Sequence, residues 1–307
     1  MRPAVLVTAA AILSWSALIA ISRILLVRYD FDPWAYTFIQ LCAGGVSLLA
    51  IGGYGRVSLG SFARPSTWIL GVLRVLSAAL FTAVLVHVSA MEAGVLGAIN
   101  MPMVAVAVWL VFGRRPARLE WLGHAVILAA IAPLVVSLEG GIANPAVILM
   151  ILNEIVLVAG TLMAERHPDN TGTEPGSRAR FTGAVLLVTA GLFLALRVLE
   201  VGGVGDVEWS APLIVSAVLV GVFLRGPSMF LTFWSTRLVG SQNYVACCTL
   251  LPVIGMALEQ AAFHLGLIDV TRFRPETVLL TAGVIAGTLI AVASRLRAAR
   301  RKEPIHA

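Results

Sequence analysis

Five ionisable side chains stand inside long apolar runs of this sequence: Arg23, Arg74, Glu154, Arg225 and Glu259. A charge at the centre of a hydrocarbon layer costs at least about 2.5–3.5 kcal/mol on insertion scales, so it faces protein or water. Glu154 falls about eleven residues into its run, beside Asn153. By i+3/i+4 spacing it shares a helical face with Ile151, Val158, Thr161 and Glu165. A carboxyl group held there can exchange a proton with either side, and Glu154 is the candidate coupling group, with Glu259 second. Arg225 sits mid-run, directly before Gly226-Pro227. The proline leaves a carbonyl one turn earlier without its normal donor and bends the helix. A guanidinium beside such a bend is placed to hold a carboxylate or phosphate through two parallel hydrogen bonds.

Each of these residues also has a structural reading. Glu154 could be an ion-pair partner of Arg225 or Arg74. Arg74 lies about seven residues into its run, within reach of the interface for a long side chain. Arg23 could extend toward Asp30 and Asp32 instead of serving an outer gate. Glu259 shares a stripe with Tyr244, Cys248, Leu251 and Gly255. Trp15, Asn100, Asn153 and Tyr244 join Arg225 and Arg74 as candidate substrate-binding groups. HExxH, GxSxG, a Walker A loop and a glycine-rich dinucleotide fingerprint are absent from the sequence. The three cysteines, Cys42, Cys247 and Cys248, lie in apolar runs without CxxC spacing. The expectation is therefore no enzyme, no cofactor and no metal site.

The elements that must carry these groups follow from composition. Of 307 residues, 59% are hydrophobic and only 12% charged. A water-soluble domain runs near 45–50% apolar and about 25% charged, so this chain lacks the polar surface of a soluble globule. Runs of roughly 20 apolar residues are each long enough to cross a ~30 Å hydrocarbon layer as a helix, whose backbone satisfies its own hydrogen bonds. The expected class is an all-α membrane protein with about ten transmembrane helices, at 4–27, 33–53, 67–88, 92–112, 119–138, 143–164, 181–200, 211–236, 242–265 and 276–295. The first run reads as an uncleaved span, because the rest of the chain is equally apolar. Trp68, Trp121 and Trp209 fall at span ends and read as interfacial anchors.

With the N-terminus inside, cytoplasmic segments hold fifteen basic residues: Arg2, Arg56, Arg64, Arg114, Arg115, Arg118, Arg166, Arg178, Arg180, Arg237, Arg295, Arg297, Arg300, Arg301 and Lys302. The other side holds four, Arg28, Arg197, Arg272 and Arg274. That bias puts both termini in the cytoplasm and accounts for the net charge of +6 without nucleic acid.

Residues 87–113 align without gaps on residues 237–263, superposing Pro102 on Pro252. Five spans separate the equivalent helices, so the halves have opposite orientations. The division expected is 1–142 and 143–307, the second half including a hydrophilic linker at 165–180 and the basic tail. Inverted repeats are usual in secondary transporters, with a site where the halves meet. Pro102 and Pro252 read as symmetry-related bends with a gating role, alongside Arg23. Gly283-x-x-x-Gly287 is a small-residue stripe suited to close helix packing.

Trp15 with Arg23 eight residues on, Asp32-Pro33, Val88-Ser89-Ala90, Pro102 and Phe112-Gly113 resemble the ten-span, EamA-like branch of the drug/metabolite transporter superfamily. Gln40 stands where that branch often carries arginine in span 2, and Arg114 where glutamate is common. The resemblance implies transport of a small metabolite through a central cavity lined by spans 1, 3, 4, 6, 8 and 9. Three intramembrane arginines against two glutamates favour an anionic or zwitterionic substrate, exported or exchanged by alternating access. The alternatives are proton-coupled efflux of cationic drugs and a flippase for a lipid-linked substrate. A membrane-embedded enzyme would want paired acids or a His/Asp set at one interface. The partners expected are the small-molecule substrate, the lipid bilayer and protons. The expected setting is the inner (plasma) membrane, as a monomer or weak homodimer.

Overall fold

In the computed structural model, residues 2–53, 60–172, 176–268 and 275–300 are described. Arg56, Arg272, Arg274, Arg301 and Lys302 of the charge argument lie outside them, as does the side chain of Glu259. Every regular element among the described residues is helical. Ten helical stretches are long and apolar enough to cross a membrane, from Pro3–Tyr29 to Val278–Ala298. The chain is a multi-pass membrane protein.

Local chemistry sets the helix ends. Asp32 caps α2 (Pro33–Ile51) by accepting from the Ala35 N–H, with Pro33 preset for the first turn. Ser89 and Glu92 form a reciprocal capping box at α5 (Ala90–Leu96). Gly113 ends α6 (Asn100–Phe112) at φ 68°, a conformation that costs glycine little. The fourth span is therefore two helices, α5 and α6, joined by a 3-10 turn at Gly97–Ile99. The ninth is likewise interrupted, between α13 (Ser241–Cys248) and α14 (Leu251–His264). Pro102 and Pro252 each stand just after their break instead of bending a continuous helix. Proline is tolerated in a first turn, where its missing N–H has no helical partner to lose.

The chain forms two compact units, and the division falls inside α4 (Pro65–His87), α8 (Pro145–Arg166) and α14. The first comprises Met1–Val75, Gly160–Gly240 and Val253–Thr271. In it α1 (Arg2–Tyr29) packs on α12 (Gly226–Val239), and α2 packs on α10 (Ser177–Val201) and α11 (Ala211–Val220). Leu41, Leu70, Phe181, Leu186, Met229 and Phe233 fill its core. The described parts of the stretch read as a hydrophilic linker, 165–172 and 176–180, form a folded clasp within this unit. A one-turn helix, α9 (Pro168–Thr171), follows α8, and the side chains of His167 and Asn170 are buried. Asn170 Nδ2 donates to the Ala164 and Phe233 carbonyls, and its Oδ1 accepts from Arg178 Nε. His167 Nδ1 accepts from the Asp169 N–H, so Nε2 carries the proton and donates to Ser66 Oγ at 2.8 Å. Asp169 in turn accepts from Ser61 and pairs with Arg64. Burial pushes the His167 imidazole down to about 4, with Arg64 adding to the shift and Asp169 opposing it.

The second unit comprises Leu76–Ala159, Ser241–Pro252 and Arg272–Ala307. Its main pairing is α7 (Arg118–Ser137) on α15 (Pro275–Arg300). A Cβ on Gly287 would lie 2.7 Å from the Gly123 carbonyl oxygen, and one on Gly283 2.9 Å from Ala130 Cβ. The Gly283/Gly287 stripe thus lets the two backbones touch.

Candidate functional site

Arg225 owes its place to an irregularity. Gly226 N–H bonds the Gly221 carbonyl, five residues back, and Gly221–Arg225 is a π-turn between α11 and α12. Proline at 227 supplies no N–H to the carbonyl of Phe223 four residues earlier, which loosens ordinary α winding there. Such turns recur at functional sites. The turn is pinned by contact with α2: a Cβ on Gly44 would stand 2.8 Å from the Gly221 oxygen, and one on Gly221 2.8 Å from the Gln40 oxygen.

A cavity of about 160 Å³ opens beside this contact, within the first unit. Its lining takes Trp15, Ser22 and three aliphatic side chains from α1, Tyr36, Thr37 and Gln40 from α2, and Arg225. The Arg225 guanidinium carbon lies 5.7 Å from the Trp15 ring centroid, a cation–π contact. Trp15 Nε1 donates to Thr232 Oγ1 at 2.7 Å, fixing the indole. Gln40 Nε2 donates to Ser22 Oγ at 3.2 Å. Two polar atoms here have no hydrogen-bond partner although buried: Arg225 Nε and the Tyr36 hydroxyl. Tyr36 is 1% exposed, with Ser22 and Gln40 beside it. No carboxylate pairs with Arg225 among the described residues, and none lines the cavity.

The second unit buries Glu154, which is 3% exposed on α8. Its Oε1 accepts from Asn153 Nδ2 at 3.1 Å, and Asn153 Oδ1 accepts from Ser77 Oγ at 2.7 Å. Asn100 stands beside the carboxyl group, and a Cβ on Gly97 would be 3.5 Å from Oε1. Glu154 Oε2 and Asn100 Oδ1 are buried without hydrogen-bond partners. The side chains that stand against the Glu154 carboxyl group within this unit are the amides of Asn153 and Asn100. Tyr244 is buried on α13 near Cys248.

The sequence-derived candidates therefore separate. Trp15 and Arg225 line one cavity, whereas Asn100, Asn153 and Glu154 form a polar cluster in the other unit. Arg23 on α1 and Arg74 on α4 are half-buried and are not among the residues that line the cavity. Sequence reasoning missed Tyr36, Ser22 and Thr37, which carry no charge. It also missed a buried knot in the second unit. Glu120 Oε1 accepts from Arg295 Nε at 3.0 Å and Nη2 at 2.7 Å, while Oε2 accepts from the Ala117 N–H. Arg295 Nη1 donates to Asn243 Oδ1 at 2.6 Å, and buried His124 lies 3.7 Å from the carboxylate. Glu120 at the third position of α7 was the available signal, since such a residue reaches back to the helix-start N–H.

Residues 2–136 match the model of the EamA-like transporter family. No curated protein matches the chain. One protein crystal structure superposes with a TM-score of 0.66 at 18% identity, covering 99% of this chain and 100% of its own. At that identity the likeness speaks for the fold alone. Through the segment that builds its first five spans, the chain is similar to the EamA-like transporter family, consistent with the drug/metabolite transporter superfamily.

Proposed function

We propose that this protein is a secondary transporter that moves a small organic anion or zwitterion across the inner membrane by alternating access. The observation that carries the reading is Arg225: a half-buried guanidinium on a π-turn, lining a cavity, with its Nε unsatisfied and no carboxylate beside it among the described residues. A buried charge without a built-in partner is costly, which favours a role in holding a ligand of opposite sign.

The inverted five-plus-five repeat fits this reading. Span 2 packs on span 7, and span 5 on span 10. Spans 4 and 9 are both interrupted just before Pro102 and Pro252, which suits them to flexing during transport. The bias of basic residues supports an orientation with both termini in the cytoplasm. Glu154 is the coupling group, a buried carboxyl whose neighbours are amides and not cations among the described residues. Efflux of cationic drugs is the second reading, favoured by the unsatisfied Glu154 Oε2.

A panel of organic anions, zwitterions and cations, screened for thermal stabilisation of the purified protein, tests the substrate charge, because a ligand of the folded state raises apparent stability. Reconstituted vesicles then test coupling. Uptake driven by a proton gradient in the wild type and indifferent to it in Glu154→Gln is expected; wild-type flux indifferent to the gradient makes the protein a facilitator.

A further inference from the structure

We infer that the Arg225 cavity selects a compact monocarboxylate bearing a neutral hydroxyl or oxo group next to the carboxylate. The inference rests on the anion reading above and narrows it by size, charge and substituent. The cavity of about 160 Å³ is comparable in volume with the engineered apolar cavities that admit a benzene-sized guest, so the part of the occupant seated in it has on the order of six to ten non-hydrogen atoms. One guanidinium provides for one carboxylate. A dicarboxylate would leave a second charge against the Leu18 and Ile19 side chains, which is costly.

The substituent is set by the remaining polar groups. The Tyr36 hydroxyl is buried and makes no close hydrogen bond, with Ser22 and Gln40 its polar neighbours, and Thr37 joins them in lining the cavity. Phenol and alcohol hydroxyls donate as well as accept, so they serve a hydroxyl or a carbonyl oxygen equally. An ammonium group asks for acceptors, and preferably an anionic one, yet no acidic side chain lines the cavity. Leu18, Ile19 and the Trp15 ring provide an apolar wall for a short branched tail.

Four acids of nearly equal size separate these elements: isovalerate, 2-hydroxyisovalerate, 2-oxoisovalerate and valine, with methylsuccinate as the dianion. Binding to the purified full-length protein is read by thermal stabilisation and titration calorimetry. The hydroxy and oxo acids should bind at least about fivefold more tightly than isovalerate, the worth of one added hydrogen bond to a buried donor. Valine and methylsuccinate should bind more weakly than either. Tyr36→Phe should erase most of the hydroxy-over-unsubstituted preference while leaving isovalerate unchanged. Arg225→Ala should abolish binding of every acid, and Arg225→Lys, which keeps the charge, serves if the alanine variant does not fold. Valine preferred in an Arg225-dependent manner overturns the substituent assignment and leaves the anion reading standing. Larger anions bound through Arg225 while all five probes fail overturns the size class alone. Acid binding unaffected by either Arg225 variant overturns both.

Discussion

Two charges withdrawn from water in this molecule, one fully and one in part, are treated in opposite ways. Glu120, 2% exposed at the start of α7, has both oxygens engaged, by two arginine nitrogens and a backbone N–H. Arg225, on the π-turn of the other unit, meets an aromatic face and a cavity. A buried charge is tolerable when its hydrogen-bonding capacity is met. Glu120 and Arg295 meet each other's within the fold, so their job is complete when the helices are packed. Arg225 is held in place by neighbours that do not neutralise it, which is how a fold keeps a group ready for something else.

The comparison is broken most severely at Glu120. Replacing it with alanine leaves Arg295 facing a low-dielectric pocket, and thermal unfolding in detergent should show a loss of about 3 kcal/mol. Glu120→Leu combined with Arg295→Met should recover most of it, because an apolar pair can substitute for an ion pair. A double variant as unstable as the single one would mean that packing, not charge, is at stake.

His167 gives the neutral version of a satisfied buried group. Its folded pKa of about 4 lies below the ordinary 6.5 of an unfolded histidine. Between those values the unfolded chain binds more protons, so stability rises with pH there. The contribution is present above about pH 6.5 and is lost as pH falls toward 4, amounting to at most about 3 kcal/mol. His167→Gln should flatten that slope; an unchanged acid profile would assign it to other groups.

Gly44→Ala addresses how Arg225 is positioned. Its new methyl would meet the Gly221 oxygen at 2.8 Å, and separating α2 from the π-turn should cost about 1–3 kcal/mol and weaken anion binding. Gly191→Ala, in open space on α10, is the control and should be neutral or slightly stabilising. The smallest effect on stability belongs to Arg225→Met, within about 1 kcal/mol of wild type or above it, with transport lost. A large destabilisation there would move Arg225 into the same class as Glu120.

The spans were legible because a hydrocarbon-crossing helix needs a contiguous apolar run, and that is written locally. Arg225 and Glu154 were legible by the same token, as charges interrupting such runs. What surrounds them was not. Gln40 meets Ser22 across 18 residues, and Arg295 meets Glu120 across 175. Those pairings depend on which helices pack together. Polarity also misled at the linker. The ERHPDN segment reads as a hydrophilic linker, yet Asn170 turns its amide into the junction of three helices, where only its neighbours reveal that both ends are engaged.

The π-turn has a further consequence, for how this sequence can change length. In an ordinary helix, losing one residue rotates everything beyond it by about 100° and turns buried faces outward. Gly221–Arg225 already winds one residue more than α geometry requires. Deleting Val222 restores regular winding while α11 and α12 stay in phase on either side. The eighth span thus holds one position where a single-codon deletion is absorbed, and it lies directly beside the arginine, so the geometry of the Arg225 cavity is open to change by loss as well as by substitution.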